Sequence, residues 1–310
     1  MSLICTGTIG IDSVYTPHGQ AERVLGGSCT YFAAAASFYG PVRIVAAAGD
    51  DLPEEHLASI RRFPQIDTTG LEIRKGSKTF AWGGKYHANM NSRETLFTHL
   101  GVLEEAPPPV PEAYRDSKYV FLANTHPAVQ LGLLEQFPSR RLAVADTMDL
   151  WINIARADLD ALLQRVDGLV LNYDEAELLT GKANTVAAAR HILDMGPAFV
   201  VVKKGEHGCL FAHRSGLIGA LPAYPAETVI DPTGAGDSFA GGMMGHIAAS
   251  MPDAGSGEDT VPFDAIRRAL AHGTVIASFN IESFSLDRLA TLTPEELNER
   301  YEQFAAMVRI

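Results

Sequence analysis

Short apolar runs alternate with amphipathic stretches along most of this chain, and turn residues divide them. Residues 3–9 read as a buried first strand, too short and too evenly apolar for an amphipathic helix. Residues 28–39 predict an Ala-rich helix that Gly40-Pro41 stops. A strand follows at 43–48 and a helix at 53–62, with Pro53 near its first turn. From residue 119 the alternation is regular. Strands are expected at 119–123, 142–146, 168–172 and 199–203, and helices at 127–137, 157–164, 174–180 and 186–195. Repeated strand–helix units predict an α/β fold, with a mostly parallel central sheet flanked by helices on both faces. Residues 209–212 and 217–221 read as a hairpin, 251–260 as a polar loop, and 262–279 as a long helix. The last helix is expected at 293–308, where Thr293 and Glu296 have capping-box spacing.

Two stretches break this pattern. Residues 13–17 and 21–25 flank His18-Gly19 as a small hairpin. Residues 70–74, 79–86 and 94–99 are strand-like, carry Phe80, Trp82, Tyr86 and Phe97, and are separated or bent at Lys75-Gly76 and Gly83-Gly84. A β-rich patch inside a strand–helix chain reads as a lid, an ordinary edge sheet or an oligomer interface. The expected organisation is one domain over residues 1–310, with a lid at about 13–25 and 72–100. A proline-rich connector with Pro107-Pro108-Pro109 and Pro111 then leads back to the regular pattern.

Composition narrows the function classes. The length of 310 residues and 46% hydrophobic content suit one large α/β domain. A net charge of −12 speaks against a nonspecific nucleic-acid surface, but not against ATP, whose phosphates need only a local site. Cys5, Cys29 and Cys209 form no CxxC pair and read as core thiols in a reducing cytosol. No apolar run is long enough to span a bilayer, so a cytoplasmic protein without membrane contact is expected.

The chemistry concentrates in Asp231-Pro232-Thr233-Gly234-Ala235-Gly236-Asp237, which runs into Ser238-Phe239-Ala240-Gly241-Gly242. No side chain in Gly234–Gly236 is larger than a methyl, so a ligand can approach the main chain closely. The first amides of the helix that follows lack intrahelical partners and sit at its positive end, which suits a phosphate. Asp237 falls in the first helical turn, where a carboxylate can accept a proton from a hydroxyl attacking phosphorus. The helical glycines after it imply close packing or close ligand approach, since each costs roughly 1 kcal/mol relative to Ala. No GxxxxGK[ST] is present, which excludes a P-loop, and Gly7-Thr8-Ile9-Gly10 lacks the third glycine of a dinucleotide fingerprint.

The DPTGAGDSFAGGMM stretch resembles the C-terminal signature of the PfkB/ribokinase family of sugar and nucleoside kinases. The resemblance implies a ribokinase-like fold with a small β-sheet lid, and an ATP-dependent kinase acting on a small-molecule alcohol. A sugar or sugar derivative is the first expectation. A nucleoside, or an inactive sugar- or nucleotide-binding regulator, is the alternative. By the match, Asp237 is the catalytic base and Gly234, Ala235 and Gly236 form the anion hole.

Other positions take roles by the same resemblance. Asp12 and the pair Gly26-Gly27 would bind the substrate; Asp12 read alone is equally a turn-forming residue. The family carries an Asn just after the glycine pair. Here the residues are Ser28-Cys29-Thr30-Tyr31, so Thr30 or Tyr31 takes its place. In the lid, Tyr86, Asn89 and Arg93 are substrate candidates: Trp82 and Tyr86 for stacking on a nucleobase, and Arg93 for an acidic sugar. Asn172 and Glu175 match the family's Asn-x-x-Glu motif and would organise phosphate and magnesium through water; Asp174 and Glu177 have helix-capping spacing at the same place. Lys203, Gly205 and Gly208 would lie along the nucleotide, with Thr233 and Asn280 also on that side. Asp231 is the candidate for a monovalent cation such as potassium. Asn124 and Asp146 end strands at the expected ligand edge and read first as helix caps. A homodimer through the lid would protect its edge strands.

Overall fold

The computed structural model describes residues 2–251 and 261–309, so the polar loop expected at 251–260 lies, beyond Met251, outside the described residues. In chain order the first half contains β1 (Leu3–Thr6), β2 (Gly10–Thr16), β3 (Gly19–Gly26), α1 (Ser28–Ala36), β4 (Val42–Gly49), α2 (Glu54–Arg61), β5 (Ile66–Arg74), β6 (Phe80–Tyr86), β7 (Arg93–His99), β8 (Tyr119–Leu122), α3 (Pro127–Leu134) and β9 (Leu142–Asp146). The second half contains α4 (Asp149–Ile154), α5 (Arg156–Leu163), β10 (Gly168–Asn172), α6 (Tyr173–Thr180), α7 (Thr185–Asp194), β11 (Phe199–Lys203), β12 (Cys209–His213), β13 (Ile218–Leu221), α8 (Ala235–Ser250), α9 (Phe263–Asn280) and α10 (Pro294–Val308).

Among the described residues, nine strands form one sheet in the order β13-β12-β11-β10-β9-β8-β1-β4-β5. Pairings from β5 to β11 are parallel, and the β11–β12–β13 hairpins add an antiparallel edge. Both faces are buried because residues alternate sides along each strand. Leu3 and Cys5 of β1 join a core with residues of α1, α8 and α9, while Ile4 joins the opposite core with residues of α3, α5 and α7. Strand order reverses at β1, which has β4 on one side and β8 on the other. Open α/β sheets hold ligands outside the carboxyl ends of strands at such a reversal.

A second sheet, β3-β2-β6-β7, has four strands. It corrects two expectations. The first apolar run is two strands: β1 ends at Thr6, the chain turns at Gly7, and Asp12 lies inside β2 of the small sheet. Residues 72–74 are the end of β5 and pair with β4 in the large sheet, so only β6 and β7 of the 72–100 segment join the small one. The Gly83-Gly84 bend is a register shift in β6. Phe97 covers Gly83 and the Trp82 ring covers Gly84, where a Cβ would collide at 2.3 and 2.1 Å.

The helical glycines of α8 are packing devices. A Cβ at Gly241 would meet the Phe32 carbonyl at 2.3 Å, and one at Gly242 would meet Ile276 at 2.5 Å. Close backbone approach thus sandwiches α8 between α1 and α9. Near its far end the His246 and His272 rings stack at 3.9 Å, and Tyr301 stacks on His272 at 4.0 Å. Sequence reasoning did not anticipate α4 or this stack.

Candidate active site

The start of α8 is held by its antiparallel neighbour α9. Asn280, the last residue of α9, donates to the Thr233 carbonyl at 2.8 Å and accepts from Ser238 at 3.2 Å. Asp231 Oδ1 accepts from the Thr233 amide at 2.8 Å. Gly234 then takes φ +74°, a conformation that side chains disfavour, and a Cβ there would lie 2.3 Å from the Tyr31 ring. No side chain caps α8; the Ala235 amide donates to the Pro232 carbonyl at 3.2 Å, and the Gly236 and Asp237 amides stay available to an anion. Against this turn lies a half-buried cation: a Cβ at Gly236 would be 2.8 Å from Lys203 Nζ.

Three carboxylates, Asp146, Glu175 and Asp237, surround Lys203 and the turn. Asp146 Oδ2 is 3.9 Å from Lys203 Nζ. Burial raises the Asp146 carboxyl, and Lys203 opposes that rise. Burial also pushes Glu175 up to about 7, with Asp146 as the main like charge. Asp237 is pushed up to about 8 by burial, then by Asp146, while Lys203 pulls the other way. Burial disfavours the charge on Lys203, but Asp146, Glu175 and Asp237 outweigh it and raise its pKa. A cationic partner for the carboxylates is thus built in, yet they outnumber it. Such crowding at a cleft is characteristic of sites that bind cations or move protons.

The other wall is formed by the small sheet and α1. A Cβ at Gly26 would fall 1.9 Å from Asp12 Oδ2, and one at Gly27 (φ +96°) 2.4 Å from the Thr8 carbonyl. The glycine pair therefore lets α1 begin directly beneath Asp12. Burial, and then Asp231, push Asp12 up to about 7. Asp231 is fully buried, and burial pushes it up to about 6. Asp12 Oδ1, Asp231 Oδ2, Thr30 Oγ1 and the Tyr31 hydroxyl are buried and have no hydrogen-bond partner in the protein. Orphan polar atoms of this kind are rare in folded proteins and call for an explanation.

The small sheet reaches across to both sides of the cleft. Tyr86 receives a hydrogen bond from Thr233 Oγ1 at 3.3 Å. At the β6–β7 turn, Asn91 donates to Glu206 at 2.6 Å, beside Gly205. Gly205 and Gly208 both take positive φ, and Gly208 lies against the Leu221 carbonyl. The Arg93 guanidinium sits 5.7 Å over Trp82, and its charge also favours ionisation of Glu175.

The structure thus brings Asp12, Gly26, Gly27, Tyr86, Thr233, Gly234, Ala235, Gly236, Asp237, Asp231, Lys203 and Glu175 around one cleft, with Asp146 and Tyr31 added. It reassigns others. Asn172 caps α6 and Glu175 is its N3 partner in a reciprocal capping box, which displaces the Asp174–Glu177 reading. Asn280 is 1% exposed and uses its amide on the turn, so it has no face for a nucleotide. Asn89 is exposed and folds the β6–β7 turn by accepting from the Asn91 and Ser92 amides. His126, and not Asn124, caps α3; Asn124 accepts from the Trp151 indole. Asp146 is not a cap either. Its one sequence signal was its place at a strand's carboxyl end, where a buried acid and a helix cap look alike.

The model of the pfkB family of carbohydrate kinases matches residues 12–287. The chain belongs to this family. The pfkB chain is 30% identical over 259 residues to a cytidine kinase of Thermococcus kodakarensis, across 81% of its own length and 90% of the relative's. Its fold matches a nucleoside kinase of Burkholderia thailandensis in complex with inosine (TM-score 0.73, 20% identity, 99% of each chain). It also matches a putative ribokinase II of E. coli in complex with ATP and magnesium (TM-score 0.75, 17% identity, 98% and 100% of the two chains). This pfkB protein is a phosphotransferase with an alcohol group as acceptor, a sugar or nucleoside kinase. The ribokinase-like fold expected from the sequence is present, and no helix among the described residues is long and apolar enough to cross a membrane.

Proposed function

We propose that the protein is an ATP-dependent nucleoside kinase that phosphorylates a ribose hydroxyl. The observation that carries this choice over a free sugar is a register pair. Asp12 of β2 lies opposite Trp82 of β6, so carboxylate and indole share one face of the small sheet. A ribose on Asp12 puts its base within reach of the indole, and an aromatic face suits a base better than it suits a lone sugar. The long match to a cytidine kinase supports the same reading.

In this account Asp237 takes the proton of the attacking hydroxyl, and the Gly234, Ala235 and Gly236 amides receive charge that develops on the transferring phosphoryl group. Lys203 offsets that charge from beneath the turn. Thr233, Gly205 and Gly208 shape the nucleotide side, and Asn172 holds Glu175 in place through the α6 capping box. Asp146 and Glu175 offer the oxygen donors that magnesium prefers and would hold it through water; when bound, magnesium neutralises phosphate charge. Asp231 Oδ2 suits a monovalent cation such as potassium. The small sheet acts as a lid that excludes water, and its open edges β3 and β7 suit a homodimer.

A coupled ADP-release screen with cytidine, uridine, adenosine, inosine, D-ribose and D-fructose tests the choice. At least one nucleoside is expected to exceed both free sugars in kcat/KM by about 10²-fold, the scale of several added contacts. A sugar that outranks every nucleoside overturns it. Equal rates in potassium and in a bulky organic cation remove the cation assignment.

A further inference from the structure

Strands β2 and β3 do not pair in even register. Asp12 lies opposite Val24 but Val14 lies opposite Ala21, so Ser13 faces both Glu22 and Arg23. This is a β-bulge, which bends a strand, adds twist and re-aims neighbouring side chains. Arg23 takes φ +54°, a left-handed conformation that residues with a long side chain rarely adopt. Side chains take up both polar groups of its backbone. The Arg23 amide donates to Ser13 Oγ at 3.3 Å, and the Arg23 carbonyl accepts from His56 Nε2 at 2.9 Å. Ser13 is the chain neighbour of Asp12, and Arg23 adjoins Val24, the residue opposite Asp12.

His56 belongs to a different part of the fold. It lies on α2, which follows β4 of the large sheet, and it is 7% exposed. Its imidazole thus crosses from the body of the protein to the small sheet. A carbonyl only accepts, so the bond keeps a proton on Nε2. Burial lowers the His56 pKa, and the bond to Arg23 opposes that fall without reversing it, so the ring is neutral at neutral pH. The base Asp237 stands on the body, whereas Asp12 stands on the small sheet. The distance between them depends on what ties the two together. A misplacement of about 1 Å at a reacting centre can cost about 10²-fold in rate.

We propose that His56 is a positioning residue for the acceptor: its bond to the Arg23 carbonyl clamps the β2–β3 bulge to the body and so holds Asp12 where it meets the acceptor hydroxyls. The inference rests on the reading of Asp12 as an acceptor-binding carboxylate, and it adds a residue outside the cleft that acts through the bulge.

The test uses steady-state kinetics and thermal melting of His56→Leu, His56→Asn, His56→Gln and Asp12→Asn, read on whichever of cytidine, uridine and D-ribose the wild type uses best. Leu has no donor and Asn is too short to reach Arg23, whereas the longer Gln amide can donate to the same carbonyl. The expected result is a rise of about 5–50-fold in acceptor KM for His56→Leu and His56→Asn, with the KM for ATP within about threefold of wild type. His56→Gln should bring acceptor KM back to within about threefold. If His56→Leu does not fold, His56→Asn carries the same expectation. A lower melting temperature with acceptor KM within twofold of wild type would make His56 scaffold only and overturn the proposal. So would a His56→Gln variant as impaired as His56→Asn. Asp12→Asn separates two failures. An unchanged acceptor KM there sinks the reading of the cleft and the clamp with it; a rise there but in neither His56→Leu nor His56→Asn sinks the clamp alone. Failure of the nucleoside reading is visible apart from both, as D-ribose outranking cytidine and uridine in the wild type.

Discussion

Partly buried ionisable groups gather near both ends of α8, yet the two places are built in opposite ways. At its start, Asp237, Asp146, Glu175 and Asp12 crowd together, and burial raises every one of them. Several polar atoms there have no partner. Toward its end, His246 and His272 stack face to face and on Tyr301, with Tyr39 edge-on to both imidazoles. Burial lowers both histidines, to about 3 for His272, with His246 adding to it, while Arg268 adds to the shift of His246. The imidazoles stay neutral and are packed by aromatic contacts. Carboxylates that outnumber their one cationic partner mark a surface built to meet ligands; neutral groups stacked on one another mark scaffold. Local instability at the first end is the expected companion of function.

The largest expected effect falls on the first end. Asp237→Asn should lower kcat by about 10²–10⁴-fold or more, while ATP affinity measured by calorimetry stays within a few-fold. A kcat near wild type would remove Asp237 as the base. Gly234→Ala comes next. The new methyl meets the Tyr31 ring at a positive φ, so overpacking of about 1–3 kcal/mol should appear in denaturant midpoints, together with reduced turnover. Unchanged stability and rate would mean that ring and turn are not tightly coupled.

The second end should respond to acid and not to substrate. The histidines are lowered from 6.5 in the fold, so the unfolded chain binds more protons below that value. Their contribution is present above about pH 6.5 and is lost as pH falls toward about 3. His272→Phe should flatten this part of the stability curve and leave kcat within a few-fold; a kcat loss like that of Asp237→Asn would erase the distinction between the two ends. The smallest effect is expected at the β6–β7 turn. Asn91→Ala removes one exposed hydrogen bond to Glu206, worth about 0.5–1.5 kcal/mol, and should raise hydrogen exchange in the β6–β7 turn with little change in kcat. Unaltered exchange would mean that this bond does not hold the turn.

Much of the first end was legible in sequence because it uses backbone chemistry. A run of Gly-Ala-Gly followed by Asp at a helix start states its own geometry, and the parallel sheet follows from the repeated alternation of strands and helices. The second end was opaque, because His246 and His272 are 26 positions apart and meet only when α8 and α9 pack antiparallel. Asp146 and Lys203 were also hidden as a pair, since they sit on strands separated by β10. The small sheet was recognised, but its boundary at β5 was not: an edge strand of the large sheet and a strand of the small one share one pattern of half-buried residues. Asn280 shows the converse case. A polar residue near a predicted site looked like a ligand contact, and its burial makes it a brace for the turn.

The most direct test of the contrast is thermal unfolding of Asp237→Asn beside wild type from pH 5 to pH 9. Asp237 is raised from 3.8 to about 8, so the folded state binds the extra proton between those values and loses stability as pH rises through them. An amide in its place has no such loss. The account predicts a variant with almost no turnover that melts above wild type, by a margin that grows toward pH 8 and then levels. A variant that melts below wild type across the whole range would make Asp237 part of the scaffold, and the two ends of α8 would no longer differ in kind.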